Sequence, residues 1–273
     1  MVRTLLAAVV ICSLAAGRVS AVLYTFSASA APSASPDANG GTADVWSVAS
    51  SGAITGDLLG NSANNGSGGS AAGAGTSAWG LYAGSGSFIA ASTSIAALAG
   101  KPLNVAGESV AIDFDNGLVT GGGGNVGIEF FGPNGFASAL YFQGGFASYS
   151  LIDTGPGVVN TLIPWTADGL RVTLTLNNAS GGYTLSALHP NSTLYSFTRT
   201  LGGSNTSITS LRVYSSSGGG SLTDREYDVY FNNLTISVIP EASAELLMAT
   251  AAVAGVVVAA WRRRGESRCC PNA

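Results

Sequence analysis

Cysteine is missing from nearly all of this 273-residue chain: the three present, Cys12, Cys269 and Cys270, lie at its extreme ends. The interior therefore has no disulfide framework, no thiolate nucleophile and no thiolate metal site. Histidine occurs once, as His189 directly before Pro190. A Ser-His-Asp or Cys-His arrangement has little to build on, and His189 reads as a solvated loop residue. Charge is also scarce, at 10% of residues. Between Val22 and Val238 stand five basic residues (Lys101, Arg171, Arg199, Arg212 and Arg225) against twelve acidic ones, a net of −7. Such a body is repelled by phosphate backbones, which excludes nucleic acid as a partner. No convincing amphipathic helix and no repeat of fixed period occurs along it.

What is present is glycine, 38 residues of it, with Ser, Thr and Asn between short apolar runs. The runs alternate. In GLRVTLTLN, Leu170, Val172, Leu174 and Leu176 share one face, and Arg171, Thr173 and Thr175 the other. Val110, Ile112 and Phe114 oppose Asp113 and Asp115, and Val126, Ile128 and Phe130 oppose Glu129. Period-2 patterning with one polar face predicts antiparallel sheets buried on one side. Turn signals such as Asp115-Asn116-Gly117, Gly132-Pro133-Asn134-Gly135 and Asp168-Gly169 separate the runs. In REYDVYFNNLTISV the parity changes between Phe231 and Leu234, which one extra residue at Asn232-Asn233 reconciles as a β-bulge. Residues 50–77 are mostly Ser, Gly, Ala and Asn and read as a flexible loop. Leu23-Phe26 and Val45-Val48 suit a small hairpin ahead of that loop. Trp46 and Trp79 both need a core to enter, which favours a single domain over residues 22–238.

The two ends read as targeting segments. Arg3 precedes an apolar stretch, Leu5 to Ala16, and Val19-Ser20-Ala21 offers a small-residue cleavage site. Residues 1–21 thus read as a signal peptide cut after Ala21. Near the other end Leu246 to Trp261 is uncharged. As a helix it spans about 24 Å, short against a hydrocarbon core of about 30 Å. Arg262, Arg263 and Arg264 follow, predicting a cytoplasmic C-terminus and a body on the far side of the membrane. Pro240-Glu241, the apolar helix and the arginine cluster together resemble the PEP-CTERM sorting signal of Gram-negative bacteria. The resemblance implies cleavage near the Pro-Glu motif by an exosortase-type membrane protease, followed by export or surface attachment. Ala242 stands where the motif's second proline is expected, and residues 265–273 continue past the arginines as a cytoplasmic tail.

The pieces AWGLYAGSG, AIDFDNG, WTADGLRVTLTL and YDVYFNNLTI, in that order, resemble concanavalin A-like or jelly-roll sandwiches. That resemblance implies a fold that often binds carbohydrate and sometimes hydrolyses it. Glycoside hydrolysis needs two carboxylates about 5–9.5 Å apart. Asp113 and Asp115, two apart on a strand, lie about 6.5–7 Å apart on one face, with Glu108 near the strand's start; a solvated polar face is the simpler reading. If a structural metal is held, oxygen donors point to Ca²⁺ with Asp228 as the candidate ligand; no other cofactor is expected. Tyr141, Tyr149, Tyr195 and Tyr214 lie in strands where one face is open to stack on a sugar or buried to form core, whereas Trp46, Trp79 and Trp165 read as core. Asn-x-Ser/Thr triplets begin at Asn65, Asn178, Asn191, Asn205 and Asn233, as an Asn/Ser/Thr-rich composition produces.

These readings predict an all-β antiparallel sandwich flanked by a signal helix and a transmembrane helix over 246–261. The expected protein is exported and non-enzymatic, held transiently in the inner membrane and then sorted to the cell surface or an extracellular polysaccharide matrix. Two alternatives are a lectin-like carbohydrate-binding module and a jelly-roll glycoside hydrolase using Asp113 and Asp115.

Overall fold

Alternating apolar and polar residues make strands almost throughout the described residues of the computed structural model, which are 21–27, 45–62, 77–153, 157–221 and 223–240. The strands are β1 (Val22–Phe26), β2 (Ser47–Ser51), β3 (Thr55–Gly60), β4 (Ala78–Ala83), β5 (Phe88–Ser94), β6 (Ser109–Asn116), β7 (Asn125–Gly132) and β8 (Gly135–Gln143). They continue as β9 (Ser148–Ile152), β10 (Val159–Pro164), β11 (Leu170–Leu176), β12 (Gly182–Leu188), β13 (Leu194–Thr200), β14 (Ser210–Ser216) and β15 (Val229–Val238). One short helix, α1 (Ile95–Ala99), follows β5. It begins where the Ser94 hydroxyl accepts the Ala97 N–H, and ends at Gly100, whose φ of 77° suits a residue without Cβ.

Two sheets result. Sheet I runs β13-β12-β11-β6-β15-β4-β3, with β1 also paired to β15; sheet II runs β10-β9-β8-β7-β14-β5-β2. Every pairing among the described residues is antiparallel, and they belong to one compact unit, Val22–Val238. The Leu23-Phe26 and Val45-Val48 runs do not pair as a hairpin: β1 lies in sheet I and β2 in sheet II. The expected loop over 50–77 contains β3, because Leu58 and Leu59 give Thr55–Gly60 enough apolar surface to pair with β4. The signal helix and the 246–261 helix fall outside the described residues, among which no helix is long and apolar enough to cross a membrane.

The core lies between the sheets, as the alternation requires. Leu170, Val172, Leu174, Leu176, Val110, Ile112, Phe114, Val126, Ile128 and Phe130 are all buried in it. Trp46, Trp79 and Phe231 form its aromatic centre, joining the chain just before β2 to β4 and β15. Trp46 meets Phe231 edge-on at 4.8 Å and Trp79 at 5.7 Å between ring centroids. At the other flank Arg199 of β13 donates twice to Asp153, at 2.8 and 3.1 Å, tying an edge of sheet I to the end of β9 in sheet II. Such a two-pronged bond fixes both distance and angle.

The bulge appears where the parity change placed it. Asn232 sits opposite Asp113 but Thr235 opposite Ala111, so β15 advances three residues while β6 advances two. Asn233 takes up the extra residue with φ 49°. The registers also gather the 117–124, 144–147, 165–169, 217–221 and 223–228 segments at one end of the sandwich. There Gly117 N–H bonds Asp228 O, Thr120 N–H bonds Gly218 O and Trp165 N–H bonds Ala147 O.

Truncation at the aromatic centre removes contacts between the two sheets at once. Phe231→Ala is expected to destabilise the body by about 3–5 kcal/mol and lower Tm by roughly 6–20 °C; thermal or urea unfolding checks this.

Candidate functional site

Two outer faces collect the polar residues singled out by sequence. On sheet I, Asp113 and Asp115 point away from the core as their spacing predicts, opposite Asn232 and Tyr230 of β15. They are not the solvated pair that the alternation suggests, because their side chains are covered: Asp113 is 2% exposed and Asp115 0%. Asp113 accepts bonds from Arg171 Nη1 and Asn233 Nδ2, each at 2.7 Å. Arg171 stands directly across from it on β11. Burial raises the Asp113 pKa, opposed by the Asn233 bond and the Arg171 charge. Asp115 packs against Gly169, where a Cβ would come within 2.9 Å of the Asp115 Cβ. Glu108 does not join them. Its carboxylate accepts the Asn104 and Val105 N–H groups at 2.7 and 2.9 Å and pairs with Lys101 at 2.9 Å, holding the loop ahead of β6. The three carboxylates therefore do not open together onto a glycosidic bond.

Asp228 lies at the same end, immediately before β15. Its Oδ2 accepts from Arg225 Nη1 at 3.0 Å and from the Tyr230 hydroxyl at 3.3 Å. Its Oδ1 is buried without a hydrogen-bond partner, facing Gly220. Burial pushes its pKa from the usual 3.8 up to about 6, against the Arg225 bond and charge. A Ca²⁺ site needs six to eight oxygens. Among the described residues no three His, Cys, Asp or Glu side chains gather to hold a metal. The charge partner of Asp228 among the described residues is Arg225.

The outer face of sheet II is built differently. Its central row crosses the strands as Ala90, Tyr214, Gly127, Tyr141 and Ser150. The next row reads Ser92, Arg212, Glu129 and Ala139; the one on the other side reads Phe88, Ser216, Asn125 and Gln143. Six of these thirteen residues are small (Ala90, Gly127, Ser150, Ser92, Ala139 and Ser216), and the large side chains stand between them. Gly127 makes room for its neighbour: a Cβ there would come within 2.7 Å of the Tyr141 Cβ. Tyr141 is half-buried, whereas Tyr214 is 8% exposed and stacks on Phe88 at 6.2 Å. Arg212 pairs with Glu129 and lies over the Phe131 ring at 4.8 Å and the Phe88 ring at 5.7 Å.

Tyr141 and Tyr214 are thus brought onto the outer face of sheet II, and the other two tyrosines are not. Tyr149 is wholly buried, its hydroxyl donating to Asn116 Oδ1 at 2.5 Å. Tyr195 packs inward from the edge strand β13, with His189 edge-on at 6.5 Å. Trp46 and Trp79 are core as expected, and Trp165 is half-buried beside Phe142. Asn178 and Asn191 close turns by accepting nearby N–H groups. The Asn205 amide is spent inside on three carbonyls and that of Asn233 on Asp113. Of the sorting residues, Pro240 is described; Glu241, Arg262, Arg263, Arg264 and the triplet at Asn65 lie outside the described residues. Sequence reading passed over Asn125, Gln143, Phe88 and the Arg212–Glu129 pair. Alternation puts each on an outer face, but only the strand register makes them neighbours.

No protein-family model matches the chain, and no curated protein does. Solved structures do. The Crh5 transglycosylase in complex with NAG matches with TM-score 0.46 and 15% identity, over 82% of this chain and 87% of its own. Arcelin-5, a lectin-like defense protein from Phaseolus vulgaris, matches with TM-score 0.43 and 10% identity, over 81% of this chain and 100% of its own. A sialidase matches with TM-score 0.41 and 11% identity over 61% of this chain, which spans only 16% of the sialidase's length. The expectation of a non-enzymatic chain does not stand, because a sandwich fold by itself is no ground for excluding catalysis; a transglycosylase and a sialidase are among these matches beside a lectin-like protein.

The raised Asp228 value has a signed consequence. An acid whose folded pKa exceeds its unfolded one contributes stability that is present below the unfolded value and lost as pH rises through the folded one. Asp228→Asn is therefore expected to gain stability relative to the parent between about pH 4 and pH 6, with the difference level above that. Urea unfolding of both proteins from pH 4 to 8 reads it, and a difference independent of pH would contradict it.

Proposed function

We propose that the sandwich is a lectin-like carbohydrate-binding module whose contact surface is the outer face of sheet II. One observation carries this reading. Tyr141 stands half-buried between Gly127 and Ser150, flanked by Asn125 and Gln143 on one side and the Arg212–Glu129 pair on the other. A pyranose ring has an apolar CH face and an edge of hydroxyls. An aromatic ring takes the first, and fixed amide, guanidinium and carboxylate groups take the second. Around β6 and β15 the outer face of sheet I instead has covered carboxylates and a buried Tyr230.

The termini supply delivery in this proposal. Residues 1–21 direct export, and the tail from Pro240 onward holds the chain in the inner membrane until an exosortase-type protease releases it to the surface or a polysaccharide matrix. Mass spectrometry of secreted material is expected to show a chain beginning after Ala21 and ending near Pro240. Full-length protein retained in the cytoplasm would overturn this route.

Binding is tested with a glycan array followed by calorimetry on the best ligand. Tyr141→Ala is expected to weaken binding on the order of tenfold, about 1.4 kcal/mol. Thr173→Val, on the outer face of sheet I, is expected to leave affinity unchanged. Equal affinity for the parent and Tyr141→Ala would remove the sheet II face from consideration.

A further inference from the structure

We infer that the glycan this face accepts is uncharged, not a uronate, sialylated or sulfated chain. The inference rests on the carbohydrate-binding reading above and adds the chemical class of the ligand.

Each of the five basic side chains of the body is committed to a carboxylate. Lys101 pairs with Glu108, Arg171 with Asp113, Arg199 with Asp153, Arg212 with Glu129 and Arg225 with Asp228. The acceptor carboxylates are at most 15% exposed. An anionic sugar that captured one of these cations would strand a covered carboxylate without its partner, which is strongly unfavourable. Only Arg212 belongs to the sheet II face. Its guanidinium lies over the Phe131 and Phe88 rings and already pairs with Glu129. The pair presents itself as a neutral unit, able to exchange hydrogen bonds with hydroxyls but carrying no surplus positive charge. Around it the body carries a net −7, a field that repels polyanions over roughly the 8 Å Debye length of physiological salt. The remaining groups on the face, the Tyr141 hydroxyl and the Asn125 and Gln143 amides, both donate and accept, as sugar hydroxyls do.

The full chain, and a full chain carrying R262Q, R263Q and R264Q to remove the tail's arginine cluster, are applied to an array of neutral and acidic glycans at low and physiological salt. The expected result is retention on neutral glycans by both proteins, with signals that change less than twofold with salt. Glu129→Gln, which releases Arg212, is expected to add salt-sensitive retention on acidic glycans. Preference for acidic glycans by both starting proteins, weakening as salt rises, would overturn the inference and leave the carbohydrate reading intact. Silence on neutral and acidic glycans alike would overturn the carbohydrate reading and this inference with it.

Discussion

Sheet I hangs on one extra residue in β15. Before the bulge, Val229 and Phe231 enter the core; after it, Leu234, Ile236 and Val238 do. Without Asn233 one half of the strand would turn its apolar residues outward, because a shift of one residue exchanges the faces of a strand. The same residue lets β15 pair with β4 along its first half and with β1 along its second. Its amide then holds Asp113, across the strand, in place beside Arg171. The core, the continuity of the sheet and the Asp113–Arg171 ion pair all meet at that residue.

Charge follows from packing in this body. With so few basic residues, each is drawn to a carboxylate that the fold has covered, and each of the five pairs links separate segments or closes a loop. Ion pairs of this kind add little net stability, but losing one partner leaves a buried charge exposed to its own desolvation cost. They therefore act as constraints on geometry. The Arg199–Asp153 fork joins the two sheets, Lys101–Glu108 shapes the loop before β6, and Arg225–Asp228 seats the start of β15.

The two outer faces consequently differ in what they offer a ligand. Around β6 and β15, sheet I turns its polar residues onto one another. Sheet II instead sets Tyr141 between Gly127 and Ser150 and leaves planar polar groups beside it. A surface that has satisfied its charges internally recognises shape and hydroxyls better than it recognises charge.

Much of the fold was legible from the chain itself. The alternation in GLRVTLTLN and ESVAIDFD named the inward residues correctly, the parity change in YFNNLTISV located the bulge, and the missing cysteines excluded disulfides and thiolate chemistry from the body. These are local properties, fixed by a two-residue period and by side-chain chemistry. Other features were decided across strands: the pairing of Arg171 with Asp113 rather than solvent, the diversion of Glu108 to backbone amides, the burial of Tyr149 and the half-exposure of Tyr141. Period-2 patterning tells which side of a sheet a residue takes. It carries no information about which residue lies on the neighbouring strand or what covers the face. Register and layer packing supply that, and they exist only once segments far apart in the chain have come together.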